Sequence, residues 1–186
     1  MSTQNLSNTV HPSIQDVTVL LKTWSYKEDP SGVRLRAFDT EHLTKVLTDI
    51  ITSENEMKYQ AANALMSINS RHGVDILLPL LDNPHTSSEM RHEICGLMSM
   101  FGDERAFEPL TRRLLYDPEG NVRAIAAFAL GEIGDENVLP NLRWAQEHDQ
   151  GTDFEGTPIK LLVQEAIDEL LQRRSSSSST ISHTID

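Results

Sequence analysis

The side chains best suited to chemistry in this chain are His92 and Glu93, adjacent in the run Met90 to Ile94. An imidazole next to a carboxylate offers two metal ligands, whereas a catalytic metal site draws about three from its protein. The positions that correspond to the pair in the internal repeats described below hold Tyr59-Gln60, Ala124-Ile125 and Leu161-Leu162, which add no further His–Glu pair. His92 and Glu93 are therefore read as the edge of a helix–helix seam, and no metal is expected. His11, His42, His72, His85 and His148 show no metal-ligand spacing. No His-Glu-x-x-His, glycine-rich phosphate loop or Gly-x-Ser-x-Gly elbow occurs, so no catalytic residue is assigned and no cofactor is called for. The one cysteine, Cys95, has no partner for an internal disulfide; lying between Ile94 and Leu97, it reads as a buried, inert thiol.

These residues sit in a repeating frame. In Asn121 to Glu136, the residues Val122, Ala126, Ala129, Leu130 and Ile133 fall on one helical face, while Ala127 and Gly131 are small enough for a neighbouring helix to approach closely. Gly134-Asp135-Glu136 ends that helix, with Gly134 suited to a left-handed backbone position. A second helix follows from Val138 to about Glu147, with Pro140 in its first turn. Moving back 32 residues lays Val122 on Met90, Arg123 on Arg91 and Gly134-Asp135-Glu136 on Gly102-Asp103-Glu104. A further 33 residues back, Met57-Lys58 takes the same place, and 37 residues forward Ile159-Lys160 does. A period in the thirties with two helices per unit is the signature of an alpha solenoid. Lys58, Arg91, Arg123 and Lys160 then recur at one repeat position, and ion pairs with nearby acids such as Glu56, Glu89, Asp117 and Glu155 account for them.

The pattern Asp-x-x-x-x-Val-Arg, small residues, Ala-Leu-Gly-x-Ile-Gly-Asp resembles the short HEAT-like repeats of the phycobilin lyase (PBS lyase) type. It is strongest from Asp117 to Leu142, good from Met90 to Leu114, and weaker in Met57 to Leu81 and Pro158 to Leu171. The resemblance implies an all-α fold, a short right-handed alpha solenoid of about five helical hairpins with terminal caps. Such repeats occur in lyases, hydroxylases, chaperone-like adaptors and scaffolds. His92-Glu93 is similar to one of the metal-ligand pairs of deoxyhypusine hydroxylase, but the other pairs are missing, which would make this at most a degenerate relative of that metal-dependent enzyme.

In chain order, residues 1–12 are expected to be disordered. Residues 13–172 form the repeat domain: an N-terminal cap hairpin at 13–52 with Ser13 as helix cap, regular repeats at 56–82, 88–116 and 121–148, and a C-terminal cap helix at 158–172 opened by Thr157 and Pro158. Val33, Leu35 and Phe38 are anchors of a long loop in the first hairpin. Residues 173–186, with Ser175 to Ser179, are expected to be a disordered tail.

The net charge is −12. Residues 101 to 170 carry 15 acids against 6 Lys or Arg, while residues 1 to 100 carry 12 against 8. No basic stripe exists to displace counterions from phosphates, so nucleic acid is not an expected partner. No apolar run approaches the ~18 residues of a membrane span, and the N-terminus lacks the features of a signal peptide, so a cytoplasmic location away from membranes is expected.

The function expected from these features is a non-enzymatic interaction scaffold or adaptor, holding a basic or mixed-charge protein partner on a concave acidic face lined by the second helices. Trp144 points about 120 degrees or more from the core positions of its helix, and Arg112 occupies the equivalent place one unit earlier. Together with Glu108, Tyr116, Asn141 and Arg143 they are the candidate partner-binding residues, because aromatic and Arg side chains anchor protein interfaces. Trp144 folding onto the 150–156 loop as a local lid is the competing placement. A phycobilin lyase-type enzyme or accessory subunit acting on a tetrapyrrole-bearing antenna protein is the alternative that the resemblance implies. An imperfectly covered end, with Ile159, Leu162 and Val163, would allow two copies to stack end to end.

Overall fold

The computed structural model describes residues 11–181. Regular structure among them is helical: α1 (Ile14–Thr23), α2 (Thr40–Thr52), α3 (Lys58–Leu81), α4 (Ser88–Phe101), α5 (Phe107–Tyr116), α6 (Gly120–Ile133), α7 (Leu139–His148) and α8 (Ile159–Ile181), with short 3-10 turns before α2, α5 and α7. The only β pairing among them is an isolated bridge between Thr152 and Pro158. The chain forms two compact units, Met1–Ile76 and Leu77–Asp186.

In the first unit, Ser13 caps α1 as its sequence requires. Its hydroxyl accepts the Asp16 N–H at 3.2 Å and the Asp16 carboxylate accepts the Ser13 N–H at 2.9 Å. Val17, Leu21 and Trp24 turn inward. Two residues of the segment expected to be disordered are placed against α2: the His11 and His42 rings lie 5.0 Å apart, and Pro12 is buried with its carbonyl 3.1 Å from His42 Nε2. The remainder of the segment expected to be disordered, residues 1–10, lies outside the described residues, as do residues 182–186 of the tail. Asp29 organises the long loop, its carboxylate accepting Trp24 Nε1–H and the N–H groups of Val33 and Arg34. Leu35 is fully buried in that loop and Phe38 half-buried, whereas Val33, expected as an anchor, is 67% exposed. Asp39 then caps α2, which buries Leu43, Val46, Leu47, Ile50 and Ile51. The backbone leaves helical geometry at Asn69 (φ −155, ψ 75), so α3 consists of two helical segments.

The second unit shows what the repeat encodes. Gly102 and Gly134, at the ends of α4 and α6, have φ −69 and −68 with ψ 166 and 165. Gly134 is therefore extended and does not take the left-handed conformation expected for it. Its lack of a side chain matters for space: a Cβ would come within 2.3 Å of the Leu130 carbonyl oxygen and 2.7 Å of Val138 Cγ2, and one on Gly102 within 2.4 Å of Met98 O. Asp103 and Asp135 follow, capping the 3-10 turns that lead into α5 and α7. Each Gly-Asp-Glu thus codes for an extended exit, a cap and a tight turn.

Helices α4, α6 and α8 pack side by side in one closely contacted row, with α5 and α7 behind them and further from each other. Small residues set the close spacing: Gly131 meets Ala166, where an added Cβ would lie 2.9 Å from the Ala166 Cα.

α8 also runs on through Arg173, Arg174 and the serine run to Ile181, where a tail without structure was expected from residue 173. Two contacts hold its extension: Arg173 Nη2 donates to the Gly131 and Gly134 carbonyls at 2.5 and 3.0 Å, at the C-terminal end of α6, and Arg174 pairs with Glu136 at 2.7 Å. Ile159 and Val163, expected at an open stacking end, are completely buried, and Leu162 is half-buried. They are committed to the packing of α8 on α6 and α7, and over residues 159–176 the large apolar side chains that α8 exposes are Leu161 and Leu171.

Candidate functional site

The recurring basic position turns out to be a structural clasp. Arg91, in the first turn of α4, donates to both Asp117 carboxylate oxygens at 2.7 and 2.9 Å, and to the Thr86 carbonyl. Arg123, at the same place in α6, grips Asp149 at 2.6 and 3.0 Å and the Asp117 carbonyl at 2.9 Å. Asp117 and Asp149 are the residues that end α5 and α7. Each clasp therefore ties the beginning of a repeat's first helix to the end of its second. Asp117, only 2% exposed, also receives Arg113 at 3.3 Å. These bonds to carboxylates raise the pKa of both Arg91 and Arg123, so the two guanidinium groups remain charged. The acids expected as partners were mostly others. Arg123 meets Asp117 through the backbone carbonyl and not the carboxylate, Glu56 pairs with Lys22, and Lys58 lies over the Tyr59 ring at 5.5 Å. Asp149 was missed, although its separation of 26 residues from Arg123 equals that of Asp117 from Arg91.

The residues singled out for partner contact lie on α5 and α7. Trp144 is 48% exposed and stacks on His148, with ring centroids 4.5 Å apart and planes 10° from parallel. Trp144 and Tyr116 border a hollow of about 320 Å³ that also includes Asp149 and Gly151. Arg112 is spent on Asp82 and Glu108, each at 2.5 Å. Asn141 is half-buried and Arg143 exposed, and neither lines that hollow. The six residues thus divide into an aromatic pair, an ion-pair cluster and two separate polar side chains.

A second concavity, of about 350 Å³, lies between α6 and α8. Its apolar lining comes from Ile125 and Phe128 of α6, Leu162 and Ala166 of α8, and Phe154 of the connecting loop. Glu132, Glu165, Glu169 and Asp153 supply carboxylates, and His92 borders it from α4. The 150–156 loop reaches this groove by folding back on the start of α6. Phe154 N–H donates to Asn121 Oδ1 at 2.6 Å, and Gly120 leaves room for the Thr152 carbonyl, which a Cβ would meet at 2.0 Å. No motif in the sequence marks Phe128 and Phe154 as a site. The available signal was Phe128 itself, which stands where the preceding repeat has Gly96.

His92 and Glu93 are both half-buried on α4. Among the described residues, no three His, Cys, Asp or Glu side chains come together as a metal site would require. Cys95 is fully buried, and burial pushes its thiol pKa up to about 12, which removes the thiolate that reactivity depends on. No helix among the described residues is long and apolar enough to cross a membrane.

Two family descriptions match the chain: HEAT repeats over residues 40–123, and the PBS lyase HEAT-like repeat over residues 122–148. The second match coincides with α6, the turn after it and α7. No curated relative matches the chain.

Proposed function

Because the chain is a HEAT-like repeat protein of the PBS lyase repeat type, we propose that it serves as a non-enzymatic scaffold or adaptor that holds a protein partner on its second unit. The observation that carries this reading is the exposure of four large aromatic side chains on a framework closed by ion-pair clasps. Tyr116 is 72% exposed, Phe128 50%, Trp144 48% and Phe154 77%. Arg91, Arg123, Asp117 and Asp149, the polar groups that follow the repeat, are consumed in holding the helices. The aromatic groups do not follow it: Phe128 corresponds to Gly96 and Trp144 to Arg112. Bulky rings on a rigid surface are what interface hot spots are made of. The acidic balance of residues 101 to 170 favours a basic or mixed-charge partner. Trp144 and Tyr116, with Arg112, Glu108, Asn141 and Arg143 around them, form one contact face under this reading, and the α6–α8 groove is another.

The test is cross-linked capture from native lysate with wild type and two double variants, Trp144→Ala/Arg112→Ala and Phe128→Ser/Phe154→Ser. Loss of a stoichiometric partner in either variant supports the scaffold and identifies its face. Retention of every partner in both variants overturns it.

The match to the PBS lyase repeat favours a second reading, a phycobilin lyase-type enzyme or accessory subunit acting on a tetrapyrrole-bearing antenna protein. Visible absorbance from a bilin that co-purifies with the chain would replace the first reading with this one.

A further inference from the structure

We propose that the groove between α6 and α8 is the seat of a basic, apolar-anchored segment of the partner protein. This rests on the scaffold reading and specifies the site and the chemistry of the segment it takes.

Phe154 is the most informative residue. The ring is 77% exposed and is not isolated, since it shares one groove with Ile125, Phe128 and Leu162, and a contiguous apolar surface marks an interaction site. Here the loop holds the ring's backbone in place. The Asp153 carboxylate accepts the N–H groups of Glu155 and Thr157 at 2.9 and 2.8 Å, Gly156 turns the chain at φ +85, and Asn121 takes the Phe154 N–H. Phe128, half-exposed, lines the same groove, as do Ile125 and Leu162. An aromatic contact that is already ordered loses little entropy on binding. The groove is open and extends from His92 on α4 to Glu169 on α8. Its several apolar side chains can receive successive apolar residues of a peptide segment.

The charge at the rim selects the segment. Glu132, Glu165 and Glu169 border the apolar floor, and none of the residues lining the groove is Lys or Arg. Glu165 and Glu169 are also one turn apart on α8, an arrangement of like charges that costs a helix a few tenths of a kcal/mol. A Lys or Arg of the bound segment lying between them relieves that repulsion. Exposed ion pairs of this kind contribute only about 0.2–1 kcal/mol each. The apolar anchors would therefore supply affinity, and the carboxylates would set the sign of the partner and its rate of approach.

A random peptide display library panned against the full-length chain tests this directly. The expected enrichment is for bulky apolar residues flanked by Lys or Arg. By fluorescence polarisation, an enriched peptide should bind Phe154→Ser and Glu165→Lys/Glu169→Lys about tenfold or more weakly, the loss expected of anchor residues, and should weaken as salt rises. Circular dichroism confirms that both variants are folded; their positions are exposed or rim positions. Enrichment of acidic or uncharged sequences overturns the proposal. So does failure to enrich any peptide, or binding that either variant leaves unchanged. Partner capture that depends on Trp144 and Arg112 but not on Phe128 and Phe154 would overturn this groove while leaving the scaffold reading intact.

Discussion

Arg123 and Asp149 lie 26 residues apart in sequence and are joined by two parallel hydrogen bonds of 2.6 and 3.0 Å, with side chains only 15% and 9% exposed. The pair closes the hairpin of α6 and α7 at the end opposite its connecting turn. Its counterpart, Arg91 with Asp117, closes the hairpin of α4 and α5.

The clasp should behave as a unit. Arg123→Ala leaves a largely buried carboxylate without its cation and should destabilise the second unit by about 2–3 kcal/mol, in the range for hydrogen bonds to charged groups. Asp149→Ala should cost a similar amount. The double variant should cost clearly less than the sum, because the second change removes a group already unpaired. Urea unfolding of the four proteins completes the cycle, and strict additivity would show that the pair is not coupled.

The same pair gives stability an acid limb. Burial works against ionisation of Asp149, but the hydrogen bond from Arg123, the Gly151 N–H and the Arg123 charge outweigh it and hold the carboxyl below its usual 3.8. The folded state therefore binds this proton less readily than the unfolded chain does. The associated stability is fully present above about pH 4 and is lost as pH falls through the lower folded value. Asp149→Asn removes this contribution, so its urea midpoint should fall less steeply than that of wild type below pH 4.

Close approach of α6 and α8 rests on Gly131. An added Cβ would lie 2.9 Å from the Ala166 Cα and 3.0 Å from its carbonyl oxygen, and backbone atoms cannot rotate aside. Alanine ordinarily strengthens a helix by about 1 kcal/mol over glycine. Overpacking costs about 1–3 kcal/mol, so Gly131→Ala should be net destabilising by about 1 kcal/mol and Gly131→Val by more. Thermal unfolding of the two variants measures the order, and a stabilised Gly131→Ala would show that the helices can separate cheaply.

Cys95 should be silent in the folded protein. With its thiol buried and its pKa near 12, an aromatic disulfide reagent at pH 8 should modify it only at the rate of unfolding. In denaturant the modification should be complete within the mixing time. Rapid stoichiometric labelling of the native protein would show that α4 opens locally.

The arginine clasps and the groove differ in how far they could be read in advance. The repeat, the helical hairpins, the Ser13 cap and the small-residue faces are legible because each depends on neighbours within a few residues or on a fixed period. Gly134 was legible as a helix stop but not in its conformation. An extended glycine crowded by Leu130 and Val138 and a left-handed one leave the same trace in a sequence.

What the sequence alone determined is the repeat, its helical character and the acidic balance, since periodicity and composition encode these locally. Tertiary structure decided which carboxylate each arginine holds, because Asp149 and Asp117 are brought to Arg123 and Arg91 only when the second helix folds back. It also decided that Ile159 and Val163 are buried rather than left at an open end. The groove belongs to the same class: Phe128 and Phe154 line one groove only because Asn121 and Gly120 receive a loop some thirty residues later.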